Sequence, residues 1–301
     1  MAERPLQFTI VAPAGFATDP HAVNRAVERL EARGHRVRLD ATARSRWQRF
    51  SAPDDERLAA IARVAADADT DVALMLRGGY GFTRMLDRID FNAIANARQR
   101  WMGHSDFTAF QLAALATADI VTYAGPMASY DFGARTPSPF TVEQCFGVLD
   151  NDAWEVECAL DGPPRPPQGG TLWGGNLAMV AHLVGTPYMP DISGGILFLE
   201  DVGEHPYRVE RMLYQLLHAG ILARQRAILI GDFTEYQLNA NDDGYDMAAA
   251  IAQIRARVAT PIYAGLPFGH VPDKLTLPVG GRCEIDARDG RATLRLSDYR
   301  R

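Results

Sequence analysis

Cysteine is scarce in this chain, with Cys145, Cys158 and Cys283 the only three in 301 residues. They form no Cys-x-x-Cys pair and are odd in number, which argues against a zinc ribbon and a disulfide framework and fits a reducing compartment. No stretch approaches the ~18 uninterrupted apolar residues of a membrane span, and the opening Met-Ala-Glu-Arg-Pro-Leu-Gln-Phe has neither a basic nor an apolar leader region. A soluble cytoplasmic protein without a membrane partner is expected. Positive charge is not in excess either: 31 basic and 37 acidic residues give a formal charge of −6. No Lys/Arg cluster is interleaved with aromatics, so no nucleic-acid partner is expected. The phosphate-binding Gly-x-x-x-x-Gly-Lys-Ser/Thr is missing, Gly79-Tyr-Gly81-Phe-Thr-Arg84 lacks a third glycine, and His-Glu-x-x-His is absent. Asn239–Gly244 is similar to the start of a calcium loop, but Ala250 stands where that loop needs a glutamate. Neither a cofactor nor a metal is expected.

What is present is an alternation of strand and helix signals. Residues 6–11, Leu-Gln-Phe-Thr-Ile-Val, read as a buried strand ended by Ala-Pro-Ala-Gly, and a helical pattern from about 20 to 33 stops at Gly34. Strands follow at 35–39, 71–76 and 120–123, helices at 54–67, capped near Ser51 to Asp54, and from Phe107 to Ala118. This order predicts an α/β, doubly wound parallel sheet over residues 1–150. Residues 161–170 hold four prolines and three glycines, so 151–170 is expected to be a linker. Residues 171–301 are expected to form a smaller α/β domain: a Gly-Gly-Asn turn at 174–176 opens a helix, strands lie at 195–199 and 227–230, and a helix begins at Pro206. From 261 onward come short, mainly antiparallel strands. Chain length suits two domains, and no internal repeat is visible.

Chemistry concentrates at Ser105. The segment Trp101-Met-Gly-His-Ser-Asp-Phe-Thr108 passes from strand to helix, and a serine at such a turn projects its hydroxyl beside free N–H groups at the helix start. The second glycine of Gly-x-Ser-x-Gly is missing, so a helix cap is the competing reading. A nucleophilic serine needs a base and an orienting acid. His104 is adjacent, but consecutive side chains around a tight turn seldom face each other. His205, in an acidic turn before Pro206, and His270, in the rigid Gly265-Leu-Pro-Phe-Gly-His-Val-Pro272, are the remaining bases. Among acids, Glu204 reads as a helix-dipole partner. Glu200 ends an apolar strand, where a carboxylate is costly without a partner. The turn Arg77-Gly-Gly-Tyr-Gly81 can bring backbone N–H groups close to a substrate, or is simply a tight turn. A metal site built on Glu200, Asp201, Glu204 and His205 is the competing chemistry.

Taken in order, Arg77-Gly-Gly-Tyr-Gly, Gly103-His-Ser-Asp, Leu172-Trp-Gly-Gly-Asn-Leu, Leu197-Phe-Leu-Glu-Asp, Pro206-Tyr-Arg-Val-Glu-Arg-Met-Leu and Gly265-Leu-Pro-Phe-Gly-His resemble the LD-carboxypeptidases, the muramoyltetrapeptide carboxypeptidase and microcin C immunity group of serine peptidases. The resemblance runs from about residue 7 to 280. It implies a catalytic Ser105, Glu200 and His270, an oxyanion hole from the N–H groups of Gly79 and Asp106, and a site in the cleft between the domains. It further implies release of the terminal D-alanine from a muropeptide tetrapeptide in cell-wall recycling, by a homodimer. Arg77 and Arg208 are candidates for binding the substrate carboxylate, or are structural ion pairs. The family's other branch cleaves aspartyl-nucleotide amides, for which Trp101 or Trp173 would have to offer a stacking face. A non-catalytic muropeptide-binding module is the third reading.

Overall fold

Apolar runs flanked by glycine and proline become the buried strands. The computed structural model describes residues 4–300. In chain order the first half comprises β1 (Gln7–Val11), α1 (Pro20–Ala32), β2 (Arg36–Leu39), α2 (Asp54–Ala66), β3 (Val72–Met75), α3 (Phe91–Ala95), β4 (Arg100–Gly103), α4 (Phe107–Ala118), β5 (Thr122–Ala124) and α5 (Pro139–Asp150). The strands line up as β5-β4-β3-β1-β2, all parallel. Helices cover both faces of such a sheet, which is why β1 and β3 are buried at every position rather than at alternate ones, the polar Gln7 and Thr9 of β1 included.

The second half comprises β6 (Trp154–Ala159), β7 (Gln168–Asn176), α6 (Leu177–Leu183), β8 (Ile196–Val202), α7 (Pro206–His218), β9 (Ala227–Thr234), α8 (Met247–Arg255), β10 (Ile262–Ala264), β11 (Leu277–Val279), β12 (Arg282–Arg288) and β13 (Arg291–Ser297). Its sheet runs β10-β9-β8-β7-β12-β13-β6, parallel from β10 to β7 and antiparallel from β7 to β6. It is therefore a mixed sheet. β12 and β13 pair antiparallel as the tail's short pieces suggested, whereas β10 runs parallel to β9.

Three local expectations are corrected. The 151–170 stretch is not all linker, because β6 lies inside it and pairs with β13 at the sheet edge, while β7 starts at Gln168. Gly174-Gly-Asn176 is not a turn: it is the end of β7, paired with Phe198–Glu200, and only Asn176 caps the helix. Pro53 precedes α2 without a side-chain cap, since the Ser51 hydroxyl bonds the Ala12 carbonyl instead. β11, near the end of the chain, joins the first sheet by pairing antiparallel with β5. The chain thus returns to its first half, and the loop between β10 and β11 has to cross from one sheet to the other. No helix among the described residues is long and apolar enough to cross a membrane.

Candidate active site

Ser105 sits in the tight turn between β4 and α4 with φ at +66°, a left-handed conformation that costs a residue with a Cβ roughly 1–2 kcal/mol. Ser105 does not cap the helix with its side chain. Its carbonyl accepts the Thr108 N–H at 2.9 Å, Asp106 is the N-cap, and the hydroxyl faces outward. The glycine turn after β3 presses against it: a Cβ on Gly78 would lie 2.6 Å from the Ser105 Cβ and 2.8 Å from its Oγ, so only glycine fits. Gly79 follows at φ +111°. Neither the Gly79 N–H nor the Asp106 N–H bonds another group among the described residues, which leaves two free donors in the two turns that meet at Ser105.

The turn is pinned from below. Gly15 N–H donates to the Gly78 carbonyl at 3.1 Å, and Phe82 N–H donates to Asp106 Oδ2 at 3.1 Å. Arg57, wholly buried, donates to the carbonyls of Pro13 and Ala52 at 2.6 and 3.1 Å and pairs with Asp54 at 2.5 Å. Burial pushes the Asp106 carboxyl up to about 6, against the Phe82 N–H and the charges of Arg57 and Arg49, and its Oδ1 has no partner.

Glu200 lies in β8 where the pairing with β9 shifts register, and such an irregularity re-aims a side chain. It is 0% exposed. Its Oε2 accepts from His270 Nδ1 at 2.8 Å, and its Oε1 is 3.4 Å from Asn176 Nδ2. The neighbouring Asp201 does not meet His270 and accepts 2.8 Å bonds from the same Asn176 Nδ2 and from the N–H groups of Val202 and Ala178. Burial and the Glu200 charge push Asp201 up to about 6, and the same two causes raise Asp232. His270 completes the line: its Nε2 is 3.0 Å from Ser105 Oγ. Residues 165 positions apart are thereby joined in one hydrogen-bonded chain from serine to imidazole to carboxylate.

The loop bearing His270 is fastened to the first half of the chain. Ser138 Oγ donates to Asp273 at 2.5 Å, Thr141 Oγ1 donates to the Pro272 carbonyl at 2.6 Å, and Lys274 N–H donates to Thr141 Oγ1 at 2.8 Å. Lys274 is the one lysine in 301 residues. It is 1% exposed and ion-paired with the buried Asp131.

The other candidates fall elsewhere. His104 is buried, bonds the Gly125 carbonyl through Nδ1 at 2.8 Å, and stands edge-on to His270 with ring centres 5.2 Å apart. Burial holds it well below the ordinary histidine range. His205 caps α7 and bonds Asp242 at 3.2 Å, so it does not join Glu200. Arg208 is half exposed, 3.6 Å from Glu204 and 3.4 Å from the Tyr207 hydroxyl, which raise its pKa, and makes no contact with the triad. Arg77 donates to the Phe16 carbonyl at 3.3 Å, pairs with no carboxylate among the described residues, and lies over Gly79 with its Nη2 3.8 Å from that residue's Cβ position. Trp101 and Trp173 are each 1% exposed and offer no stacking face. No group of three or more His, Cys, Asp or Glu side chains among the described residues is placed to hold a metal. A cavity of about 890 Å³ lined by Asp71, Arg100 and Tyr123 lies at the opposite, N-terminal ends of the strands. Sequence reasoning missed Gly78, Asn176 and the Lys274–Asp131 pair. The uniqueness of the lysine was the available signal for the last.

Residues 9–125 match the LD-carboxypeptidase N-terminal domain and residues 169–285 its C-terminal domain. A muramoyltetrapeptide carboxypeptidase from Oxalobacter formigenes is 43% identical, superposes with a TM-score of 0.92 and covers 98% of this chain and 100% of its own. The murein tetrapeptide carboxypeptidase of Pseudomonas aeruginosa is 29% identical over 90% of each chain. A microcin C7 self immunity protein in complex with aspartyl sulfamoyl adenosine shares the fold, with a TM-score of 0.89 at 21% identity over the full length of both chains. This chain belongs to the LD-carboxypeptidase family.

Proposed function

We propose that the protein is a serine carboxypeptidase that releases the terminal D-alanine from murein tetrapeptides, hydrolysing the bond from the L-centre of diaminopimelate, with Ser105 as nucleophile, His270 as general base and Glu200 as orienting acid. The observation that carries this reading is the unbroken line from Ser105 Oγ to His270 Nε2 at 3.0 Å and from His270 Nδ1 to Glu200 Oε2 at 2.8 Å. A Glu200 carboxylate fixes the imidazole hydrogen on Nδ1, which leaves the Nε2 lone pair to accept the serine hydroxyl hydrogen. Ser105 Oγ then attacks the scissile carbonyl while its proton passes to His270. The oxygen of the tetrahedral intermediate, now an anion, is received by the free N–H groups of Asp106 and Gly79.

Collapse breaks the C–N bond, and the proton on His270 goes to the departing amine of D-alanine. Water, deprotonated by the same Nε2, attacks the acyl-enzyme and regenerates the serine. Arg77, close to Gly79 and without a carboxylate of its own, is the group we assign to the substrate's terminal carboxylate. Trp101 and Trp173, both buried, cannot supply the stacking face that the aspartyl-nucleotide alternative would ask of them. The test is release of D-alanine from a disaccharide-tetrapeptide in the presence of EDTA, followed by mass spectrometry. Release by the native chain and none by Ser105→Ala is expected, and equal release by both would remove Ser105 from the mechanism.

A further inference from the structure

One polar atom beside the triad takes no part in the proton transfers. His104, the residue before the nucleophile, is 1% exposed, and its Nε2 is buried without a hydrogen-bond partner among the described residues. The other ring nitrogen is committed. Nδ1 meets the Gly125 carbonyl at 2.8 Å, and because a carbonyl only accepts, the hydrogen stays on Nδ1 and Nε2 keeps a bare lone pair. Gly125 is itself fixed: its N–H donates to the Gly103 carbonyl at 3.1 Å, and a Cβ on it would lie 2.9 Å from Thr276 Oγ1.

The ring also stays uncharged. Burial, then the nearby charges of Lys274 and His270, oppose a second proton. A bare acceptor in a dry interior is a cost that leucine or phenylalanine in the same space would not carry. Among the buried side-chain atoms without a partner, this one belongs to the ring that touches the base: the His104 and His270 rings stand at 75° with centres 5.2 Å apart. Its other ring neighbour, Phe268, 6.3 Å away, is apolar.

His270 is the neighbour whose charge changes. Each time it takes the Ser105 proton it becomes an imidazolium, which Glu200 meets from β8 at Nδ1, while Asp232 of β9 packs on Gly269 and Asp131 neutralises Lys274. The positive end of the His104 dipole is cancelled by the Gly125 carbonyl, so the end left uncompensated is the negative one, and in a low-dielectric site it acts across several ångströms. Resting on the Ser105–His270–Glu200 reading, we propose that His104 is a positioning residue for the base: its neutral, electron-rich ring steadies the imidazolium form of His270 and keeps that ring in line between Ser105 and Glu200.

Nitrogen-15 spectra of histidine-labelled protein test this without turnover. In the native chain one histidine, missing from the spectrum of His104→Phe, should keep a single hydrogen, on Nδ1, from about pH 5 to 8. His104→Phe keeps a ring without its nitrogens, and His104→Asn keeps a donor for Gly125 without Nε2. Either change should lower the His270 titration midpoint, and the acid limb of kcat/KM with it, by about one pH unit. Turnover should fall about tenfold with KM within about twofold of native. Calorimetry of the same variants reads the packing loss, which by itself moves neither the midpoint nor the limb. A native His104 hydrogen on Nε2, a His270 midpoint unmoved in both variants, or a shift with asparagine and none with phenylalanine would each overturn the proposal. Should one variant fail to fold, the other and the native tautomer decide. Failure of the carboxypeptidase reading registers separately, as no D-alanine release by the native chain, and the His270 midpoint still judges His104.

Discussion

Ser105 and His270 meet at 3.0 Å, but what holds each of them is different. Ser105 is set by its own neighbourhood: a left-handed φ between β4 and α4, the first turn of α4 behind it, and the glycine turn from the next strand pressed against it. His270 is set by distant residues that hold its loop, through the Thr141–Pro272 bond across 131 positions and the Lys274–Asp131 pair across 143. The nucleophile turn is a local solution that one stretch of chain can specify. The base loop is a tertiary solution, and it exists only when the two halves of the chain are docked. The contrast teaches that the weak point of the site lies in the loop that bridges the sheets, and that damage there reaches the chemistry through stability and alignment together.

The sharpest way to separate the two is at the local end. Ser105→Ala removes a hydroxyl from a turn whose backbone is held by other groups. Turnover should fall about 10⁵- to 10⁶-fold while the thermal midpoint stays within a degree or two, as measured by steady-state kinetics and calorimetry. A large loss of stability would mean that the hydroxyl helps to hold the turn. Glu200→Gln attacks the junction between the two regions, because an amide in that buried position no longer fixes the hydrogen on His270 Nδ1. We expect kcat to drop about 10³- to 10⁴-fold with KM little changed. A variant within tenfold of native would show that Glu200 does not orient the base.

At the remote end, Lys274→Met leaves Asp131 buried without its cation and should cost about 3–5 kcal/mol in chemical denaturation. Lys274→Met with Asp131→Leu should recover much of that, and turnover should follow the packing of the loop rather than the charge. An unchanged single variant would mean that the loop is held without the pair. The smallest effect is on pH dependence. Asp106 titrates near 6 in the fold against 3.8 in the unfolded chain, so the native state keeps a proton that the unfolded state releases. Stability therefore falls as pH rises through roughly 4 to 6, by on the order of 3 kcal/mol in total. Asp106→Asn still offers an oxygen to the Phe82 N–H and carries no charge. Its stability at pH 8 should rise relative to pH 4, and the remaining slope should be the share of Asp201, which also titrates near 6. An undiminished slope would contradict the assignment.

Part of this was legible before any coordinates. Short, largely apolar segments such as residues 6–11 and 71–76, bounded by turn signals, read as buried strands, and glycines clustered after one of them mark a turn at a strand's carboxyl end. The Gly-His-Ser-Asp turn between strand and helix marked Ser105 as a candidate for the same local reason, with a helix cap as the competing reading. Other features were hidden because their signals are weak or distant. β6 directly precedes the proline-rich 161–170 segment and has an alternating, half-polar pattern suited to an edge, so the composition next to it spoke louder than its strand. Gly174 and Gly175 read as a turn because glycine is common in turns, whereas here the strand needs them for close approach to its neighbours, a Cβ on Gly175 lying 2.5 Å from Thr108 Oγ1.

By itself the sequence determined the α/β alternation, the local turn that strains Ser105, and the stock of acids and bases from which a relay could be drawn. Backbone preference and apolar periodicity act over a few residues, and a single stretch of chain encodes them. Only the tertiary structure decided that His270 rather than His104 or His205 meets the serine, that Glu200 rather than Asp201 meets His270, and that the chain's single lysine anchors the loop that brings them together. Those choices depend on distances between residues far apart in the chain and on burial, which sets which charges need a partner. Neither quantity exists until the two sheets have packed.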